Sequence, residues 1–251
     1  YRGMAYDWEA MVRALERTRP MHPPGTTPCY HSITMGHLLG EVIRRISGQG
    51  IGAFLATNVT NPLGLDYHFG LRDEDLPRCA DFLEDEGQGL ADYLLANPDS
   101  LPARTFGPIA VDENFNSLEW RQSEVPSANG HGNARALAKL YGALALGGEL
   151  DGVRIIGRET LLRASAEQWE APDLATGLRM RLGLGFRLGS ADTPMGPNRA
   201  AFGSTGAGGA ISFCDMDAGI GFGYAMNAKY PGLAVGPRTA ALVDALYDCE
   251  F

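Results

Sequence analysis

The fold is decided by the stretch Phe202-Gly203-Ser204-Thr205-Gly206-Ala207-Gly208-Gly209-Ala210-Ile211-Ser212-Phe213-Cys214-Asp215, a glycine-rich run that leads into an apolar segment. The apolar segment Ala210–Asp215 and the later Ile220–Asn227 are typical of β-strands. Asp215–Gly219 between them has the composition of a turn, so the pair predicts an antiparallel hairpin. Two earlier segments extend the predicted sheet: Leu182–Leu188 and Ala200–Gly203.

Outward from this hairpin, the chain has mainly helical patterns. Helices are predicted at residues 7–17, Ile33–Ser47, Gly52–Thr60, Asn133–Leu146 and Arg158–Glu167, with a last helix from Pro237. Within Ile33–Ser47 the apolar residues recur at helical spacing, which predicts an amphipathic helix: Met35, Leu38, Leu39, Val42, Ile43 and Ile46.

This order of elements indicates an α+β fold, because helices come first and antiparallel strands with a terminal helix follow. We expect a mostly helical region over residues 1–180. The sheet strands and the C-terminal helix are expected over residues 181–251. Both regions are predicted to be parts of one interleaved domain.

The composition argues against several classes of function. A net charge of −9 over 251 residues has the wrong sign for binding phosphates, so we expect no nucleic-acid partner. No apolar run approaches the roughly 20 residues that a membrane-spanning helix needs, so no membrane span is expected. The four cysteines lack the spacing of metal ligands, and we predict neither a metal site nor a cofactor.

Several common catalytic signatures are absent from the sequence. No serine has glycine at both −2 and +2, no Gly-Lys dipeptide exists, and the histidines never fall at i, i+4. The run Gly203–Gly209 does not fit the dinucleotide-binding pattern and opens no helix.

Two segments remain as candidates for chemistry. Tyr30 and Ser32 stand just before the predicted helix Ile33–Ser47, where the helix dipole and free N–H groups favour an anionic group. The second segment consists of small residues, beside which a substrate carbonyl can approach backbone N–H donors: Ser204, Thr205, Gly206 and Ala207. Together they predict two walls of a site for covalent acyl chemistry. Purely structural interpretations are Tyr30 as a half-buried aromatic, Ser32 as a helix N-cap and the glycines as packing positions.

Taken together, these segments resemble the serine β-lactamase, penicillin-binding-protein and family VIII esterase superfamily, especially its esterase-like bacterial members. The resemblance covers essentially the whole chain and rests on three stretches: Pro24–Leu65 with Tyr30-His31-Ser32, Ala128–Gly148, and Phe202–Asp215. It implies a β-lactamase/DD-peptidase-like fold, in which helices flank an antiparallel sheet beside a mostly helical region.

The family mechanism, carried over by resemblance, begins with acylation of a serine in an S-x-x-K motif. Tyr30 would move the proton to the leaving group and later activate water. Ser32 would contact the substrate or the lysine. Ser204-Thr205-Gly206 takes the place of the family's strand motif, and the N–H of Ala207 would form half of an oxyanion hole.

The sequence departs from the family pattern at two places. The chain has only two lysines, and the residues three before Lys139 and Lys229 are Ala136 and Met226, so no S-x-x-K motif is present. We expect that motif, and the N-terminal strands of the sheet, in a segment preceding Tyr1, and we expect this chain alone to be inactive. Ser204 replaces the family's lysine or histidine, which favours a neutral ester over a penicillin.

Three functions therefore remain open: a serine esterase, which we favour, a β-lactamase or DD-peptidase, and a non-catalytic homologue with a binding role. The predicted partner is a small acyl substrate, and the oligomeric state is left open. The unpaired-looking cysteines favour a cytoplasmic location, with a periplasmic one as the alternative.

Overall fold

Six antiparallel strands form one sheet, and each strand is bonded to the strands next to it in the chain. The computed structural model describes residues 3–83, 94–110, 114–230 and 235–249, leaving aside the side chains of 107–110. The sheet strands are β5 (Trp169–Pro172), β6 (Arg179–Leu182), β7 (Arg187–Leu188), β8 (Phe202–Thr205), β9 (Ile211–Asp215) and β10 (Ile220–Tyr224). Two small strand pairs lie elsewhere: β1 (Tyr67–His68) with β2 (His131–Gly132), and β3 (Glu149–Leu150) with β4 (Val153–Arg154).

Helices are the main regular elements in the rest of the described structure. They are α1 (Trp8–Arg17), α2 (Thr34–Ser47), α3 (Ile51–Leu55), α4 (Asn61–Leu63), α5 (Leu101–Ala110), α6 (Leu118–Gln122), α7 (Ala134–Ala145), α8 (Arg158–Ser165) and α9 (Pro237–Tyr247). A π-helical turn, Ala56–Thr60, joins α3 to α4, and 3-10 turns occur at Met4–Tyr6 and Leu76–Arg78. Within the described ranges, no helix is long and apolar enough to cross a membrane.

The core lies on both faces of the sheet. On one face, Tyr141 and Leu144 of α7 pack against Phe202 and Cys214. On the other face, Val243 of α9 packs with a cluster that includes Met195, Ile211 and Phe213. Adjacent strand residues point to opposite faces, so Phe213 and Cys214 belong to different clusters. The predicted α+β fold, with helices flanking an antiparallel sheet, is confirmed.

The sheet begins earlier in the chain than the sequence pattern suggested. Trp169–Pro172 and Arg179–Leu182 form a hairpin that begins before residue 181 and ends at residue 182. The segment Leu182–Leu188, predicted as one strand, is broken by a turn in which Gly185 has a φ of +83°. The division of the chain at residue 180 stays a prediction.

Helix α7 lies very close to the edge strand β10, because glycines remove the side chains between them. A Cβ on Gly221 would stand 2.1 Å from the backbone nitrogen of Gly142 in α7. A Cβ on Gly223 would stand 2.7 Å from the carbonyl oxygen of Ala134. Any larger side chain at either strand position would push the helix off the sheet.

Helix α2 packs in an unexpected orientation. Its apolar side is exposed to solvent: Met35, Leu38, Leu39, Val42 and Ile46. Its buried side contains His37, Gly40 and Glu41. The cause is α1, since the Trp8 ring lies where a Cβ on Gly40 would be, and the Trp8 indole N–H donates to Glu41 at 2.9 Å. The contacts that position α2 are therefore made by its polar side. The apolar spacing alone predicts an ordinary amphipathic helix.

Glu41 is expected to make the stability depend on pH. Hydrogen bonds from Arg44, and then from Trp8 and Arg45, lower the pKa of this carboxyl from 4.5 to about 2. A lowered pKa stabilises the fold above the unfolded value, so this contribution is lost as the pH falls from 4.5 toward 2. In Glu41→Gln, urea-unfolding midpoints should therefore fall less steeply than in the wild type over that interval. Parallel midpoint curves for the two proteins would contradict the assignment.

Candidate active site

Tyr30 lies in an extended segment before α2 and is half-buried. Its ring stacks on Phe106 of α5, with centroids 5.7 Å apart and an interplanar angle of 24°. The guanidinium carbon of Arg187 lies over the Tyr30 ring, 5.7 Å from its centroid. Contacts from two separate elements thus fix the ring's orientation.

Ser32 occupies a bend next to the helix and is also half-buried. It is not the helix cap: the N-cap position is Ile33, and no side chain caps α2. The structural alternative for Ser32 is therefore wrong, and its proposed role toward a substrate stays a prediction. The neighbouring His31 is exposed, and its Nδ1 lies 2.7 Å from the Thr34 hydroxyl.

The start of α2 is held in place by a loop that follows α6. The backbone N–H of Gly36 donates to Ser127 Oγ at 2.7 Å, and a Cβ on Gly36 would stand 2.6 Å from the Ser127 nitrogen. The loop itself is organised by buried Asn129, which accepts from Val125 N and donates to the Trp120 carbonyl. Fixing the helix start also fixes the Tyr30 segment directly before it.

The second predicted wall divides between strand and turn. Ser204 and Thr205 end β8, opposite Ser212 and Ile211 of β9. Residues 206–210 form the tight β8–β9 turn, closed by the bond from Gly206 N to the Ala210 carbonyl at 2.8 Å. Ser204, Gly206 and Ala207 are exposed, so a ligand can reach them.

The turn is rigid on its inner side. Gly208 and Gly209 have φ values of +87° and +100°, which favour glycine. The Gly208 carbonyl accepts from Tyr230 N, and the Gly209 carbonyl accepts from Thr239 Oγ1 at 2.6 Å. The Ala207 N–H makes no hydrogen bond to any group that the structure describes, so it is available to a substrate oxygen.

Arg187 links the two walls, and sequence reasoning missed it. It stands opposite Gly203 in the β7–β8 ladder, one residue from Ser204, while its guanidinium reaches the Tyr30 ring. This contact places the Tyr30 ring next to the Arg187 side chain of β7, the strand that pairs with the one carrying Ser204. No hydrogen bond joins Tyr30 or Ser32 directly to residues 204–207 in the described structure. A single charged residue in the otherwise apolar or glycine segment 182–188 was the available signal.

The β5–β6 turn supports the Tyr30 segment from another side. Leu174 N donates to the Pro28 carbonyl at 3.3 Å. Asp173 holds this turn, because its Oδ1 accepts from Ala175 N, Thr176 N and Thr176 Oγ1. Burial, and then the Asp173 charge, raise the pKa of the Cys29 thiol, which makes it a poor nucleophile.

The candidate site therefore consists of a phenol held before α2, a free backbone N–H in the β8–β9 turn and a cation on β7. These groups can move a proton and stabilise a developing oxyanion. Among the residues with described positions, no group of three or more His, Cys, Asp or Glu is placed to hold a metal ion.

Comparisons with known proteins match this chain both to a family model and to individual relatives. The beta-lactamase family model matches residues 1–246. The curated esterase/beta-lactamase LipL of Mycobacterium tuberculosis (strain ATCC 25618 / H37Rv) is 30% identical over 208 aligned residues, and the match covers 79% of this chain. The chain spans 48% of LipL, so about half of that relative has no counterpart here.

Two solved structures with a similar fold are a penicillin-binding protein homologue and a family VIII carboxylesterase. The penicillin-binding protein homologue from Caulobacter crescentus superposes with a TM-score of 0.85 at 36% identity. The superposition covers 98% of this chain and 65% of the homologue's chain. A family VIII carboxylesterase superposes with a TM-score of 0.86 at 36% identity, with the same coverage of both chains.

Proposed function

This chain belongs to the beta-lactamase family, and from that membership we propose that it is the C-terminal part of a serine hydrolase. The proposed substrates are small carboxylic esters, cleaved through an acyl-serine intermediate. The observation that carries the proposal is the Tyr30 ring, held by Phe106 and by Arg187 of β7, the strand that pairs with the strand of Ser204. The names of LipL and of the carboxylesterase support an ester substrate.

Each candidate residue has a role in the proposed reaction. The Oγ of a serine N-terminal to Tyr1 bonds to the ester carbonyl carbon, while the Ala207 N–H donates to the carbonyl oxygen. The serine proton passes through the Tyr30 phenol to the alcohol oxygen, and the ester C–O bond breaks. Water then attacks the acyl-serine, and Tyr30 returns one water proton to the serine oxygen. Ser32, Ser204, Thr205 and Gly206 line the substrate.

Hydrolysis of p-nitrophenyl acetate tests this function. We expect steady turnover by the full-length protein, with loss of turnover when the S-x-x-K serine is replaced by alanine. The 251-residue chain alone should release no p-nitrophenol above the buffer rate, since its sequence lacks the motif. Serine-dependent turnover by the chain alone would show that the nucleophile lies within it and would overturn this assignment.

A β-lactam or D-amino-acid substrate is the second candidate. It is favoured by the similarity to a penicillin-binding protein homologue and by LipL, whose name gives both esterase and beta-lactamase. It is disfavoured by Ser204, which offers no charge where the family has a cation. Covalent labelling of the full-length protein by fluorescent penicillin, retained through denaturing electrophoresis, would support this candidate. Ester turnover without labelling would support the esterase.

A further inference from the structure

Arg187 differs from every other arginine that the structure describes. Four of these arginines are buried or half-buried: Arg44, Arg121, Arg181 and Arg187. The first three each form an ion pair, with Glu41, Asp81 and Glu167 respectively. Arg187 alone among the four has no carboxylate within ion-pair distance and no hydrogen-bond partner in the described structure. A guanidinium withdrawn from water without a counter-ion is costly, which points to a missing anion.

The internal groups near Arg187 do not supply that anion. Asp173 influences Arg187 electrostatically, but three donors from its own turn engage its Oδ1. The Tyr30 ring offers its face, a contact worth less than a paired carboxylate. Burial lowers the pKa of the Arg187 guanidinium, with Tyr30 and Asp173 only partly opposing this, as expected of a cation lacking its partner.

The position of Arg187 indicates where the anion would come from. Its guanidinium lies against Tyr30, the residue that hands a proton to the departing alcohol in the proposed reaction. The Arg187 backbone pairs with Gly203 of β8, the strand that ends at Thr205 beside the β8–β9 turn. A carboxylate on the alcohol side of an ester would therefore meet Arg187, which can bind it through two parallel N–H donors.

We propose that Arg187 binds a substrate carboxylate, and that the preferred esters carry this group on their alcohol portion. The inference rests on the proposed esterase function and narrows its substrate class.

A matched substrate pair tests the proposal in the full-length protein: 4-acetoxybenzoate and its neutral analogue 4-acetoxybenzamide. The wild type should prefer the benzoate in kcat/KM. Arg187→Gln should lower kcat/KM for the benzoate by about 10–100-fold more than for the benzamide, mainly through KM, so that the preference for the benzoate is lost. Arg187→Lys should lose less, because it keeps the charge but not the paired donors. Arg163→Gln, an exposed arginine on α8, is the control and should change neither substrate.

Several results would overturn the proposal. One is equal use of both substrates by the wild type. Another is that Lys229→Gln, and not Arg187→Gln, abolishes the preference for the benzoate. Lys229 is the competing cation, because it packs against Gly208. A third is that the wild type prefers p-nitrophenyl monosuccinate to p-nitrophenyl butyrate but shows no preference for the benzoate. The bound carboxylate would then belong to the acyl portion of the ester, and its placement on the alcohol portion would be refuted.

A binding measurement separates this inference from the proposed function. Titration calorimetry with 4-hydroxybenzoate, the product, requires no turnover. Weaker binding in Arg187→Gln than in the wild type would support the carboxylate site even if no ester were hydrolysed. Equal binding in both proteins, with benzamide hydrolysis intact, would remove the inference and leave the esterase proposal standing.

Discussion

Replacing Tyr30 with phenylalanine is expected to lower kcat/KM for p-nitrophenyl acetate by about 10²–10⁴-fold in the full-length protein. The substitution removes only the hydroxyl, and hence the proposed path of the proton. The ring that stacks on Phe106 and faces Arg187 remains, so the fold of the segment should be kept. Hydrolysis rates across pH, together with melting temperatures, would measure the effect.

Tyr224→Phe is the matched control for this experiment. Tyr224 is half-buried at the end of β10, which β9 separates from β8 and its motif. It should leave kcat/KM within a factor of about 2 of the wild type, as expected for a side chain outside the site. If Tyr30→Phe retained full activity, the phenol would not carry the proton and the assignment of the site would fail.

Phe213→Ala is expected to destabilise the fold by about 3–5 kcal/mol, the largest stability effect of any substitution proposed for this protein. Phe213 has 0% of its surface exposed and packs with Val243 of the last helix. Its ring also lies 5.3 Å from that of Phe222 on β10. Removing the ring leaves a cavity between the sheet and α9, which the surrounding backbone can fill only in part.

Urea unfolding followed by circular dichroism would measure this loss. Leu242→Ala on the same helix is the control, because Leu242 is 43% exposed and should change the free energy of unfolding by less than about 1 kcal/mol. Equal losses for both variants would mean that α9 does not pack on the sheet through Phe213.

The C-terminal elements could be predicted from the sequence because local signals agree there. The hairpin of Ala210–Asp215 and Ile220–Asn227 is confirmed, with Asp215 paired to Ile220 across the turn. The last helix also begins at Pro237, where proline fits the first turn. Strand composition, turn residues and a helix start all act over a few residues, so neighbouring sequence is sufficient.

Other features depend on contacts that spacing does not contain. The orientation of α2 follows from Trp8, which lies 33 positions before Glu41 and donates to it. Arg187 gains its place beside Tyr30 only when β7 pairs with β8. Apolar periodicity cannot report which side of a helix another helix occupies. The sequence pattern singled out the Tyr30 and Ser204 segments and the family resemblance assigned their roles, but neither pointed to Arg187.

The order of the sheet has a consequence for how the molecule reaches its native state. All five pairings from β5 to β10 join strands that follow one another in the chain. Each new strand therefore closes only the loop to its predecessor, and the entropy lost at each closure is small. Chains with such local contacts fold faster than chains whose sheets join distant segments. The strand that carries Ser204 can thus form as soon as its two neighbours are present.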